Sequence, residues 1–270
     1  MTIANTIAHM FLHTFFLPAN ANHFEALQTS VSWEQVGKGR AMATLVNSDD
    51  TAADALVPVV RSTTVCHQPA QWFKDAHHAV LRDMQVYMPE ELKPFAWGHK
   101  FNNAMLEKYT PECRSMAYHS DLALDLHPDS YIAIFSCYDS PQATKRKLVI
   151  KDKTSHIVTH EIVLKHNMVT LFSVDTNQRN LHKIVLDWPK SAPRPKGTKP
   201  AEGLWIGMTC RTSRMFVAYD PMLGCALRLA TPSEHKEFLR QRAQENKLVN
   251  FNYGHVSYTV SPGDLLLPTN

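Results

Sequence analysis

The sequence predicts a mainly β fold with flanking helices, an antiparallel sandwich or barrel, and two observations carry that expectation. Between Lys100 and Arg214, short runs rich in Val, Ile, Phe and Tyr recur between turn residues: YIAIFSCY, RKLVIKD, HIVTHEIVL, MVTLFSV, HKIVLDW and WIGMTCRTSRMFVAY. Strands at such spacing fold as antiparallel sheets packed on one another. Second, 270 residues with 44% hydrophobic and 20% charged content fill one large core, so neither a disulfide nor a structural metal is needed to hold the chain folded.

The elements follow in order. FLPANANHFEALQTSVSW reads as a short strand and then an amphipathic helix, with Pro18 and Asn20 marking its start. Residues 36–56, small and Asp-rich, read as a connector, and VPVVRSTTV (57–65) as a strand. Trp72, Ala76, Ala79, Val80, Met84 and Met88 recur at helical spacing over 68–88, and Pro89 closes the run. Within the strand-rich region, residues 188–203 hold prolines and the basic Lys190, Arg194, Lys196 and Lys199, a loop composition. A second helix opens at Thr231-Pro232-Ser233-Glu234, where Thr231 caps, Pro232 suits the first helical position and Glu234 completes a capping box. The tail VNFNYGHVSYTV reads as a hairpin.

Five cysteines without a C-x-x-C pair read as reduced thiols in a cytosolic setting. The apolar opening has no Lys or Arg before Lys38 and is interrupted by Asn5, His9 and His13, which argues against a signal peptide or membrane span. A net charge of +3 is weak evidence for a polyanionic partner.

The sharpest chemical feature is His119-Ser120-Asp121, with His182 opening a later strand. On an extended backbone, residues two apart point to one side, and a His from a neighbouring strand completes a face of three ligands. Two imidazoles and a carboxylate suit Fe(II) and leave positions open for a bidentate 2-oxo acid and oxygen. His127-Pro128-Asp129 offers the same pattern, so spacing alone does not choose between the two.

The block GHKFNNAMLEKYTPECRSMAYHSD (98–121) resembles the one in AlkB-like Fe(II)/2-oxoglutarate dioxygenases in which a Phe-Asn pair begins a strand, a Tyr follows and His-x-Asp closes. Phe101-Asn102, Tyr109, Pro111 and His119-Ser120-Asp121 take those places, which selects the first His-x-Asp. The resemblance runs over roughly 14–217 and implies a double-stranded β-helix, a jelly-roll or cupin-like barrel with N-terminal helices. A dioxygenase domain is then expected over 1–220, with residues 221–270 a C-terminal helical extension packed on or near it.

The resemblance further implies Fe(II) on His119, Asp121 and His182, Tyr109 in contact with 2-oxoglutarate, and consumption of that co-substrate and O2 in oxidising a C–H bond. The family usually places two arginines six residues apart on a late strand. Here Trp205 stands at the first position and Arg211 at the second, whereas another register makes Arg211 and Ser213 an Arg-x-Ser clamp for the co-substrate carboxylate. The implied substrate is a nucleic acid, nucleotide or other phosphorylated molecule, met by the basic 188–203 loop and stacked on Trp72, Phe73 or Trp97. A small metabolite is the alternative, and a non-catalytic binding barrel a second one.

Overall fold

The computed structural model describes residues 11–47, 56–93, 100–140, 142–143, 145–187, 203–220 and 224–270. Its elements run β1 (Leu12–Phe16), α1 (His23–Ser30), β2 (Glu34–Gly37), β3 (Arg40–Val46), β4 (Val57–Pro58), β5 (Gln71–Trp72), α2 (Asp75–Tyr87), β6 (Asn103–Tyr109) and β7 (Tyr131–Tyr138). They continue with β8 (Arg146–Asp152), β9 (Val158–Leu164), β10 (Met168–Ser173), α3 (Val174–Arg179), β11 (Asn180–Leu186) and β12 (Trp205–Arg211). After two-residue pairings near 216–229 come α4 (Pro232–Glu245) and Tyr258–Thr259.

Among the described residues, eight strands form one large sheet in the order β1-β10-β7-β12-β6-β3-β2, with β5 added on β3. A smaller antiparallel sheet has the order β11-β8-β9, and residues 115–119 extend it through bridges from Ser115 to Val185 and His119 to His182. From β6 onward the chain alternates between the sheets: β6 large, 115–119 small, β7 large, β8 and β9 small, β10 large, β11 small, β12 large. That alternation is a double-stranded β-helix, mainly β with few helices.

Side-chain period decides where each core lies. On β7, Ala133, Phe135 and Cys137 join Ala104, Leu106, Ile206, Met208 and Cys210 beneath α1 and α2. Their neighbours Ile132 and Ile134 turn inward, with Tyr109, Leu148, Ile150, Phe172 and Trp205, to fill one end of the space between the sheets.

Several expectations need correction. The 36–56 segment is not simply a connector, because Arg40–Val46 forms β3 between β2 and β6; buried on both faces, its alanines and aliphatics lack the polar alternation that marks a half-exposed strand. The 68–88 helix starts only at Asp75: Gln71–Trp72 pairs parallel with β3, and the Trp72 and Phe73 amides bond the carbonyls of Thr269 and Val46. The first helix begins at His23 rather than near Pro18. Of the 57–65 strand only Val57–Pro58 forms, since beyond it Arg61 turns inward to Asp125. The C-terminal hairpin is absent: Tyr258–Thr259 pairs parallel with Arg228–Leu229. The Thr231 capping box with Pro232 is present as read. Trp97, residues 1–10 and the cations of the 188–203 loop lie outside the described residues. No helix among the described residues is long and apolar enough to cross a membrane.

Candidate metal centre

The site begins with two backbones locked together. His119 and His182 sit opposite each other, each amide donating to the other's carbonyl, at 2.9 Å from His119 and 2.6 Å from His182. This is a hydrogen-bonded pair of an antiparallel ladder, so the two imidazoles leave the backbone side by side, with ring centroids 4.6 Å apart. Asp121, two residues past His119, points to the same side. Its Oδ1 lies 3.5 Å from His182 Nε2 and 4.0 Å from His119 Nε2, and the three ligand atoms all fall within 4.8 Å of one another.

Two of the three have a further support. The Nδ1 of His119 lies 3.0 Å from the Ala117 carbonyl, and donation there leaves the Nε2 lone pair free for a metal. Asn177, on α3, accepts from the Asp121 amide at 2.7 Å and donates to its carbonyl at 2.9 Å. From α4, Arg242 donates to the Ser120 carbonyl and to Glu245. Asn246 accepts from the Ser120 amide at 3.1 Å, and Glu245 from the Ala123 amide at 2.9 Å. Leu122 and Leu124 pack with Phe238, Val256, Tyr258 and Val260, so α4 and the tail hold the ligand loop from outside.

Electrostatics favour an ion. Burial and the neighbouring His182 push the His119 imidazole down to about 4, so it is neutral at pH 7, as a ligand must be. Burial opposes ionisation of Asp121, but His182 and Arg211 outweigh it and hold the carboxyl below the usual carboxylate range. Its Oδ2 is buried without a hydrogen bond, 3.6 Å from Arg211 Nη1. Arg211 is itself buried, and its Nε and Nη2 also lack partners. A carboxylate and a guanidinium buried with open valences are costly unless something binds between them. Two imidazole donors and one ionised carboxylate fit a divalent metal of the iron type.

The cluster opens into a cavity of about 320 Å³, bounded by Met105, Glu107, Thr209 and Arg211 from the large sheet, Arg40 from β3 and Arg242 from α4. Three of the six sequence candidates, His119, Asp121 and His182, meet here, and Arg211 stands beside them. Tyr109 and Ser213 are not among the cavity's walls. Tyr109 is fully buried, and its hydroxyl donates to Glu107 at 2.9 Å. Ser213 Oγ is within 2.7 Å of the Val59 carbonyl and 3.1 Å of that of Asp125, and the Ser213 backbone is gripped at both ends by the Asn102 amide. Trp205, in the place of the expected arginine, gives its indole N–H to Ser136 at 2.7 Å and faces Tyr109, with centroids 4.9 Å apart. The second His-x-Asp lies at a turn, where the Asp129 amide donates to His127 Nδ1.

Sequence reasoning missed Glu107, Arg40, Asn177, Arg242, Glu245 and Asn246. Asn177 had a signal: Ser173 caps Thr176, and Asp175 pairs with Arg179 four residues on, marks of a helix within what reads as continuous strand.

Fold and cluster together define the class: a double-stranded β-helix with a two-histidine, one-carboxylate candidate metal centre. No protein-family model matches the chain, and no curated protein matches it in sequence. Among solved structures, that of OsALKBH1 is similar, with a TM-score of 0.47 and 13% sequence identity over 75% of this chain and 98% of that one.

Proposed function

We propose that the chain is an Fe(II)- and 2-oxo-acid-dependent dioxygenase, with 2-oxoglutarate the co-substrate its sequence resemblance implies. The observation that carries the reading is the convergence of His119, Asp121 and His182 beside Arg211, whose buried fork lacks a partner. When bound, iron supplies oxygen activation coupled to decarboxylation of the 2-oxo acid. The chain's residues do the rest. His119 and His182 present imidazole nitrogens, Asp121 stays ionised, and Asn177 and α4 fix the backbone between them. Arg211 offers Nε and Nη2 as parallel donors for a carboxylate. Because Asp121 provides a carboxylate ligand, the reading is hydroxylation or oxidative demethylation rather than halogenation.

Equilibrium Fe(II) binding under anaerobic conditions tests the site. The parent binds one equivalent, and Asp121→Ala loses at least ~100-fold in affinity, more than the loss of an outer-shell partner costs. Iron affinity unchanged in both Asp121→Ala and His119→Ala would sink the reading and leave a non-catalytic barrel.

For the substrate, a phosphate-bearing molecule is supported by Tyr118 at the cavity wall, whose ring lies 4.4 Å from Lys151 Nζ and 4.3 Å from Lys183 Nζ. Two lysines gathered at a wall tyrosine suit the phosphates of such a molecule. The cavity volume favours a second reading, a small metabolite, since about 320 Å³ is at the low end of small-molecule sites. Binding that weakens steeply from ~50 to ~200 mM salt supports the polynucleotide reading, and salt-insensitive binding supports the metabolite.

A further inference from the structure

The residues facing the barrel interior form rungs between β6 and β12: Asn103 with Arg211, Met105 with Thr209, Glu107 with Gly207, and Tyr109 with Trp205. Arg211, in reach of Asp121, belongs to the metal end. A five-carbon 2-oxo acid reaches roughly 6 Å from its metal-bound end, by ordinary carbon–carbon dimensions. Its tail therefore points down the rungs, toward Glu107 and Arg40, which both border the cavity.

Nothing cationic comes from the rung below. The Trp205 ring lies over Gly207, where a Cβ would come within 2.2 Å of it, so the indole fills that depth and requires glycine beneath it. Arg146, 4.8 Å from the Tyr109 ring, gives Nη1 and Nη2 to the carbonyls of Cys113 and Thr110 and does not border the cavity. Of the other arginines that border the cavity, Arg61 is held by Asp125 and Arg242 by Glu245 and the Ser120 carbonyl, and Arg40 is already paired: its Nε and Nη2 donate to Glu107 Oε1 at 2.9 and 2.6 Å. The Tyr109 hydroxyl donates to the same oxygen at 2.9 Å. All three bonds fall on Oε1, and Oε2 takes none among the described residues, although Glu107 is 9% exposed. The tail thus meets a neutralised ion pair and an unbonded carboxylate oxygen.

Resting on the 2-oxo-acid reading above, we infer that Glu107 and Arg40 set co-substrate choice, favouring a 2-oxo acid with an uncharged tail over one ending in a second carboxylate. A second carboxylate faces Oε2, and among the described residues at that depth, beyond the reach assigned to Arg211, no unpaired cation offsets it; like charges brought together in a binding site oppose binding. This departs from the 2-oxoglutarate expectation through one position, Trp205.

Calorimetric titration of the metal-loaded protein, without oxygen, with 2-oxopentanoate and 2-oxoglutarate tests it, because the two share a five-carbon skeleton. The parent binds 2-oxopentanoate at least ~10-fold more tightly, a lower bound on the like-charge penalty because pairing with Arg40 partly neutralises Glu107. Glu107→Gln, which frees Arg40, reverses the order, and Arg40→Gln, which leaves Glu107 unpaired, widens the parent's preference. Thermal melts confirm that both variants fold. Tighter 2-oxoglutarate binding by the parent overturns the inference and leaves the 2-oxo-acid reading standing, whereas binding of neither acid to protein that holds its metal removes both.

Discussion

The two faces of β6 and β12 are made by the same strands and do opposite work. Ala104, Leu106, Ile206, Met208 and Cys210 face α1 and α2, where every one is sealed from solvent. Asn103, Met105, Glu107, Thr209 and Arg211, their immediate neighbours, face the barrel interior, and Glu107 and Arg211 place charges there. Burial of the first set stabilises the sheet at about 25 cal/mol per Å² of apolar surface. The second set gives up part of that gain by burying a guanidinium with unmet donors. The helix face therefore supplies the stability that lets the interior face remain open in its hydrogen bonding, and the two are separable by mutation.

The strongest way to break that division is Leu106→Ala. Leu106 is fully buried under the helices, so the cavity left behind costs ~3 kcal/mol of unfolding free energy in denaturant titration. Iron affinity of the folded fraction stays at the parent value, and a parallel loss of iron binding would show that the faces are coupled.

A pH titration sharpens the contrast from the helix side. His77 of α2, fully buried against Ser30, is pushed down to about 4, by desolvation first and then by His78 and Lys74. The folded state keeps it neutral, while the unfolded chain protonates it near 6.5. Its contribution is complete above 6.5 and is lost as pH falls from 6.5 through 4, up to ~3 kcal/mol for a shift of that size. His77→Gln flattens the fall, and an unchanged slope would assign the acid sensitivity elsewhere.

The smallest effect probes the interior side. Asn177→Ala removes both bonds to the Asp121 backbone without touching a ligand atom, and iron affinity falls ~10–100-fold, as for other outer supports of metal ligands. Stability changes little, and an iron affinity equal to the parent's would limit Asn177 to a local helix contact.

Those faces differ also in how readily they were read from the residues. β7, β8 and β10 carry long β-branched and aromatic runs, and their bounds lie within a few residues of the expected ones, whereas the run expected over 205–219 ends as β12 at Arg211. β3 was hidden because Ala41, Met42, Ala43, Leu45 and Val46 are buried on both sides and follow no alternation. The cluster of His119, Asp121 and His182 was legible through its spacing and the block that precedes it. Glu107 and Arg40 were not, since a charged pair on neighbouring strands looks like any cross-strand ion pair until the fold shows that it borders a cavity. Arg242 and Asn246 were illegible for another reason: they act 122 and 126 residues away from Ser120, beyond the reach of any local pattern.

That separation has a consequence for synthesis. At the usual ~5–20 residues per second, roughly ten seconds pass between translation of Ser120 and of the arginine that holds its carbonyl. From His182 onward, the later half of that interval, the nascent chain carries both histidines and the aspartate without the bonds from α4 that brace the loop between them. A chain stopped short of Asn246 holds all three residues of the candidate centre and lacks the brace on the loop between them, so assembly of that centre is tied to α4, a helix made long after the residues it braces.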